Sequence, residues 1–281
     1  MVESRAARIA LRLATAAGLA FIYIPLIVIG IYAFNESTNQ AWPIRGLSLQ
    51  WFERALSQGG VRDALFTSIR AALGATAVAL VLGSLAAFAV QRYRFFGREA
   101  VTLLVILPIA LPGVVTGMAL NAAFRTVDVE FGIWTIIVGH ATFCVVVAYN
   151  NVIARLRRAS RSIEEASMDL GADQWQTFRY VTFPVIRTAL LAGGLLAFAL
   201  SFDEVIVTTF TTGGGEMTVP IWILQNYTRT TGLPIVNAVA LVLIGLSVIP
   251  VYFAQRLAGP ETAGATRATA PAVTTAAAAA K

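Results

Sequence analysis

The sequence predicts an all-α integral membrane protein: six helices crossing a bilayer, with a short polar helix on the cytoplasmic side between the fourth and fifth. Three observations carry this. Of 281 residues, 57% are hydrophobic and 13% charged, where an ordinary soluble domain carries roughly 25% charge. Five runs free of Asp, Glu, Lys and Arg each reach the ~20 residues that cross a hydrocarbon core about 30 Å thick at ~1.5 Å per residue. The basic residues gather in alternate connecting segments, the pattern of a chain inserted with its positive loops inward.

The first run, Ala14–Ala33, is too long for a cleaved signal peptide, and no small-residue cleavage site follows before Phe34-Asn35-Glu36, so it reads as a retained span. The longest external loop, Asn35 to Asp63, follows. Within it Ser48-Leu49-Gln50-Trp51-Phe52 starts a short surface helix, with Trp51 as an interface anchor or a contact for the solute. The second span is Ala71–Val90. The third, Ala100–Phe124, contains Pro108 and Pro112-Gly113, which either kink it without consequence or open its hydrogen bonding toward a cavity.

The fourth span, Phe131–Ala154, holds His140 and Cys144, the single residues of their kinds. His140 has no second ligand-type residue at helical spacing and reads as buried and hydrogen-bonded. Cys144 reads as a small buried hydrophobe, and a lone cysteine excludes a disulfide framework. Asn150-Asn151 are placed to bond across helices. The fifth apolar run, Thr188–Phe202, crosses only if Asp203-Glu204 and Val205–Phe210 are counted in. Gly213-Gly214-Gly215 lacks the strand and helix context of a nucleotide loop and reads as a turn. Thr218–Tyr227 is too short to span and suits a re-entrant or interfacial helix, Thr230–Gln255 is the sixth span, and the Ala/Thr/Gly/Pro chain from Gly259 onward is expected to be disordered.

With the N-terminus inside, fifteen of the 21 basic residues fall on the inner side, among them Arg5, Arg92, Arg155, Arg161, Arg187 and Arg256. Arg45, Arg54, Arg62, Arg125 and Arg229 fall outside, and Arg70 at a helix mouth. Both termini are then cytoplasmic, and the net charge of +6 needs no nucleic acid to explain it. The chain divides into residues 1–60 (inner segment, first span, first outer loop), a transmembrane core at 61–256 and a tail at 257–281.

The polar stretch Ser162–Pro184 is too charged to cross. Ser162 and Glu165 make a capping box that starts a helix near Ile163, and Gly171 ends it in a left-handed turn. Asp173 with Gln176 caps a second helix, with Trp175, Phe178 and Thr182 on one side, and Pro184 closes the unit. Glu165-Ala166-Ser167, three residues, Gly171, nine residues and Val181-Thr182-Phe183-Pro184 resemble the EAA signature of the membrane subunits of ATP-binding-cassette (ABC) importers of the MetI-like kind. Ser167 stands for an alanine, and Val181 and Phe183 for other apolar residues. The resemblance implies a coupling helix seated in a cleft of a cytoplasmic ATPase. Ala166 and Gly171 permit close docking, Ile163 and Leu170 fill apolar contacts, and Glu164, Glu165 and Asp169 supply rim charges. The ATP must bind elsewhere: Lys281 is the sole lysine, so no P-loop is present. ATP and Mg are expected on the partner ATPase, with no cofactor and no catalytic residue on this chain.

Asp203 and Glu204 are the second notable feature, because a carboxylate at helix-centre depth costs on the order of 3 kcal/mol and faces protein or water. On a continuous helix Asp203, Val207 and Phe210 share one side, with Glu204 and Thr208 beside them and Thr209 following, a polar stripe open to the outer side. It either attracts a cation or pairs with Arg70 or Arg125. The runs SFDEVIVTTFTTG, TVPIWIL and NAVALVLIGLSVIP resemble the second permease of spermidine/putrescine importers, over about Val61 to Arg256. That resemblance implies a homologous permease partner, an ATPase dimer below, a periplasmic or lipid-anchored binding protein above, a bacterial inner-membrane location and uptake by alternating access. Related permeases carry amino acids, iron or inorganic anions on the same scaffold. An ion-driven secondary transporter and an integral membrane enzyme are the rival classes. The first lacks visible repeats, and the second lacks a nucleophile or metal set.

Overall fold

The computed structural model describes residues 5–228 and 233–258. Arg229, Thr230 and the tail from Gly259 lie outside the described residues. Among those described, the regular structure is helical apart from one isolated antiparallel bridge, Asn35 to Leu47. Helix α1 (Arg5–Ala33) is followed by α2 (Gln50–Ser57) and by α3 (Gly59–Arg92), whose 34 residues outrun the bilayer core. Then come α4 (Arg98–Ala110), α5 (Gly113–Thr126) and α6 (Ile133–Arg158).

Among the described residues, five helical runs are long and apolar enough to cross, and α4 with α5 makes a sixth only if the bent pair counts as one span. The third predicted span is thus not one rod: α4 and α5 meet at 108°. Pro108 sits inside α4 without breaking it. The break is Leu111, held extended at φ −83°, ψ 143° because the ring of Pro112 bars the preceding residue from helical geometry.

The fifth span also differs from expectation. After α7 (Arg161–Asp169), α8 (Gln174–Thr177) runs through one π-helical stretch (Phe178–Thr182) into α9 (Phe183–Phe202). The 29-residue run Gln174–Phe202 is long enough to cross without Asp203-Glu204. Pro184 does not close the polar unit. It lies in the first turn of α9, where the widened turn before it accommodates a residue with no N–H to give. Beyond the break, α10 (Ile206–Thr211), α11 (Val219–Tyr227) and α12 (Leu233–Ala258) complete the chain. The expected short helix after the glycines is α11, packed on α3 and α12 with Pro220, Ile221 and Trp222 buried.

The core is the packing of α3, α6 and α9. Ala75, Ala79, Gly83 and Ala87 recur every fourth residue on α3 and are buried, and small residues at that spacing let helix backbones approach closely. A Cβ on Gly83 would stand 2.9 Å from the Val145 carbonyl oxygen, the Tyr149 nitrogen and the Ala148 Cβ. Ala148 also faces α9, its Cα 3.5 Å from where a Cβ on Gly193 would be. Asn151 does not bond across helices. Its amide donates to the Val147 carbonyl at 2.9 Å within α6, while its Cβ fills the hollow over Gly193.

Trp51 is neither a surface anchor nor open to a solute. It is 3% exposed, its indole N–H donates to the Asn35 carbonyl at 2.7 Å, and Arg54 lies over its ring. It packs with Ala33 and Ala238, fastening the outer loop to α1 and α12.

Gly83→Leu should force α3 from α6 and destabilise the fold by about 1–3 kcal/mol, read as a lower melting midpoint in detergent. Gly18→Leu on α1, where an added Cβ meets nothing within 4 Å, should leave that midpoint unchanged.

Candidate functional site

Two places interrupt the regular packing: the elbow Arg161–Thr182 and the break after Phe202. In the elbow, α7 starts one residue earlier than expected, with Ser160 and not Ser162 at the N-cap position; Ser160 caps no backbone N–H, and the two hydroxyls share a hydrogen bond at 2.6 Å. The expected box fails because Glu165 has a nearer partner, Arg161, one helical turn earlier at 3.2 Å. Gly171 does end the helix, at φ +89°, a backbone conformation that glycine adopts without strain. The second box is present: the Gln176 N–H donates to Asp173 at 2.8 Å, and the Asp173 N–H to the Gln176 side chain at 3.0 Å. Trp175 stacks on Phe178 with ring centroids 5.7 Å apart.

The elbow divides into an inner and an outer side. Glu164 is not a rim charge: it pairs with Arg92, the last residue of α3, and accepts a hydrogen bond from Thr182 at 2.9 Å. The Ser167 hydroxyl bonds that of Thr177 at 3.1 Å. Outward stand Ile163, 56% exposed, and Leu170, 90% exposed, with Ala166, Asp169 and Pro184 also exposed. Apolar side chains thus stand exposed on a helix held from behind. Arg92 is the residue that sequence reasoning missed here, since its partner is 72 positions away and no local pattern connects them.

The second place is the break. A continuous polar stripe does not exist, because Asp203, Glu204 and Val205 separate α9 from α10. Glu204 turns its carboxylate onto the N–H of Val207 at 2.8 Å and so caps α10. Thr208 and Thr209 donate to the carbonyls of Glu204 and Val205 at 2.9 and 2.8 Å. The hydroxyls assigned to a route are therefore bonded one turn back along their own segment, and Thr208 is fully buried. Asn121 donates to the Phe210 carbonyl at 2.6 Å and Thr135 to the Thr211 carbonyl at 2.7 Å, fixing α10 against α5 and α6.

Asp203 is exposed and, among the described residues, has no ion-pair partner. Arg125 donates instead to Asn121 at 2.9 Å, and Arg70 lies over Phe66. Asp203 lines an open groove of about 580 Å³ that follows one face of α12 past Ile244, Ser247 and Val251 to Gln255. His140, read as a buried hydrogen-bonded histidine, is that: 0% exposed, between the hydroxyls of Ser201 and Thr208. Cys144 is buried, its thiol on the Ala197 carbonyl.

Among the described residues, then, the chain is a bundle of membrane-spanning length with one broken span and an elbow tied to α3 and to the foot of α9. The chain belongs to the family described as binding-protein-dependent transport system inner membrane component, which matches residues 79–262. It is 34% identical over 236 residues to the putrescine transport system permease protein PotI of Escherichia coli K12, covering 81% of this chain and 83% of that one. It is 32% identical over 237 residues to the spermidine/putrescine transport system permease protein PotC of Haemophilus influenzae, covering 84% and 91%. In fold it is similar to a chain of a bacterial ABC transporter involved in the import of the acidic polysaccharide alginate, with a TM-score of 0.68 over 91% of this chain and 99% of that one, at 17% identity. The chain is therefore an ABC transporter permease subunit and not itself an enzyme.

The Arg92–Glu164 pair is part-buried, and Glu164 also holds Thr182, so removing Glu164 unfastens the elbow from α3 and from the foot of α9. Glu164→Ala should accordingly free the elbow, raising proteolytic cutting near Gly171 while the spans still insert. The double exchange Glu164→Arg with Arg92→Glu should restore protection.

Proposed function

We propose that this permease moves a small organic cation, a polyamine such as putrescine or spermidine, from the exterior to the cytoplasm by alternating access. The observation that carries it is Asp203. Among the described residues it is a carboxylate without an ion-pair partner, at the end of a spanning helix and open to a groove along α12. A fixed negative charge in a low-dielectric wall attracts a protonated amine and repels an anion. The names of the two permease relatives support the same class of solute. The fold does not choose the sign of the cargo, since a similar fold serves an importer of an acidic polysaccharide.

The arginine asymmetry supports an orientation with both termini and the elbow in the cytoplasm of a bacterium, and α11 with the outer loop facing out. The groove along α12 then leads inward from Asp203 to Gln255. An ATPase dimer carrying ATP and Mg docks under Ile163, Glu165, Ala166, Asp169, Leu170 and Gly171. A homologous permease, as a different chain, closes the groove from the side. A periplasmic or lipid-anchored binding protein delivers the solute, in keeping with the family's description. When ATP closes the ATPase dimer, the elbow moves as one body, because Glu164 joins it to α3 and to Thr182 at the foot of α9.

In proteoliposomes holding the permease pair, the ATPase and the binding protein, Asp203→Asn should lower putrescine or spermidine uptake by about tenfold, the loss of one charge-assisted contact. Assembly should be unchanged. Equal uptake by the variant would remove the cation reading. Ala166→Arg, on the exposed side of α7, should abolish substrate-stimulated ATP hydrolysis without preventing insertion; unaltered stimulation would remove the coupling role.

A further inference from the structure

The helix break that presents Asp203 is held by a residue on another span. His140 lies seven residues into α6, about 10 Å along that helix from Ile133 at ~1.5 Å per residue. It reaches both sides of the break at once. Its Nδ1 is 2.7 Å from the hydroxyl of Ser201, in the last turn of α9, and its Nε2 is 2.8 Å from that of Thr208, on α10. All three side chains are buried, His140 and Thr208 completely.

The hydrogen-bond accounting fixes the tautomer. The Thr208 hydroxyl donates its one proton to the Glu204 carbonyl at 2.9 Å, so its oxygen accepts from the imidazole Nε2–H. A neutral ring has then no proton on Nδ1, which accepts from the Ser201 hydroxyl. The result is a directed chain: Ser201 O–H to Nδ1, Nε2–H to Thr208, Thr208 O–H to the Glu204 carbonyl. It begins on the last turn of α9 and ends on the backbone of the break itself. The Glu204 carboxylate, fixed on the Val207 N–H at 2.8 Å, is set by the same segment.

We propose that His140 is a positioning residue for transport: by clamping α9 to α10 through Ser201 and Thr208 it sets where the Asp203 carboxylate stands in the groove. It touches no solute. This rests on the reading of Asp203 as a pathway residue, and the experiment separates the two. Both ring nitrogens are used, one on each side of the break.

The test uses the whole complex with Cys144→Ala and Asp203→Cys, so that a small cationic methanethiosulfonate reports the accessibility of position 203 directly. His140→Leu should change the modification rate by about three- to tenfold, the effect of releasing one or two hydrogen bonds. His140→Gln, which carries a donor and an acceptor on one side chain, should bring it back toward the parent. In the chain with native Asp203, the same pair should change the solute concentration for half-maximal uptake in step with that rate, with ATP hydrolysis in the absence of binding protein unaltered. Identical modification rates in parent, His140→Leu and His140→Gln would overturn the proposal, and so would equal changes in both variants. Should His140→Leu fail to assemble, Ser201→Ala and Thr208→Val each cut one bond of the chain with little change of volume, and unchanged rates in both would overturn it. If Asp203→Asn leaves uptake intact while the thiol rates still follow His140, the pathway reading fails and the clamp stands.

Discussion

Inside a bilayer no water is at hand for an unpaired N–H or C=O, so each interruption of a spanning helix has to be answered by some other group of the protein. This chain interrupts its helices repeatedly and meets the requirement differently each time. After Phe202 the answer comes from side chains: Glu204 for the Val207 N–H, and Asn121 and Thr135 for the carbonyls at the end of α10. Before α9 the π-helical stretch lets Pro184 stay within a helix that continues. Between α4 and α5 the conformation of Leu111 is imposed by Pro112, and the next helix starts at once with Gly113.

The same constraint explains why the centre is built of small residues. Lipid tails are as apolar as leucine, so spanning helices gain little from hiding large side chains from each other and gain more from close contact. Gly83 and Gly193 bring α3 and α9 against the same part of α6, around Ala148. A close-packed centre moves as a unit. The elbow is bonded to two of these three helices, through Arg92 and Thr182, so the outward apolar face of α7 is rigidly joined to the core.

Much of the fold class was legible because run length and charge are direct consequences of bilayer thickness. The Asp173–Gln176 box and the turn at Gly171 were legible too, since each depends on residues within one turn. What failed was what local pattern cannot see. Ser162 and Glu165 satisfy a capping rule, but Arg161 sits one turn before Glu165 and takes it. The apolar-polar pattern of SFDEVIVTTF fits a helix throughout, so the break at Asp203 left no mark in periodicity. Trp51 was misplaced because its acceptor, the Asn35 carbonyl, is 16 residues away on a loop whose path the sequence does not specify. Glu164 looked like surface charge for the same reason. The acidic pair was found, and its two members turn out to differ: Glu204 is spent on the backbone, and Asp203 alone stands open.

The continuity of the run from Gln174 to Phe202 has a mechanical consequence. Twenty-nine helical residues make a rod roughly 43 Å long at ~1.5 Å per residue, with the elbow at one end and the acidic break at the other. Such a rod is a lever. A tilt of about ten degrees at its foot carries its far end sideways by roughly 7 Å on that length, wider than a single side chain.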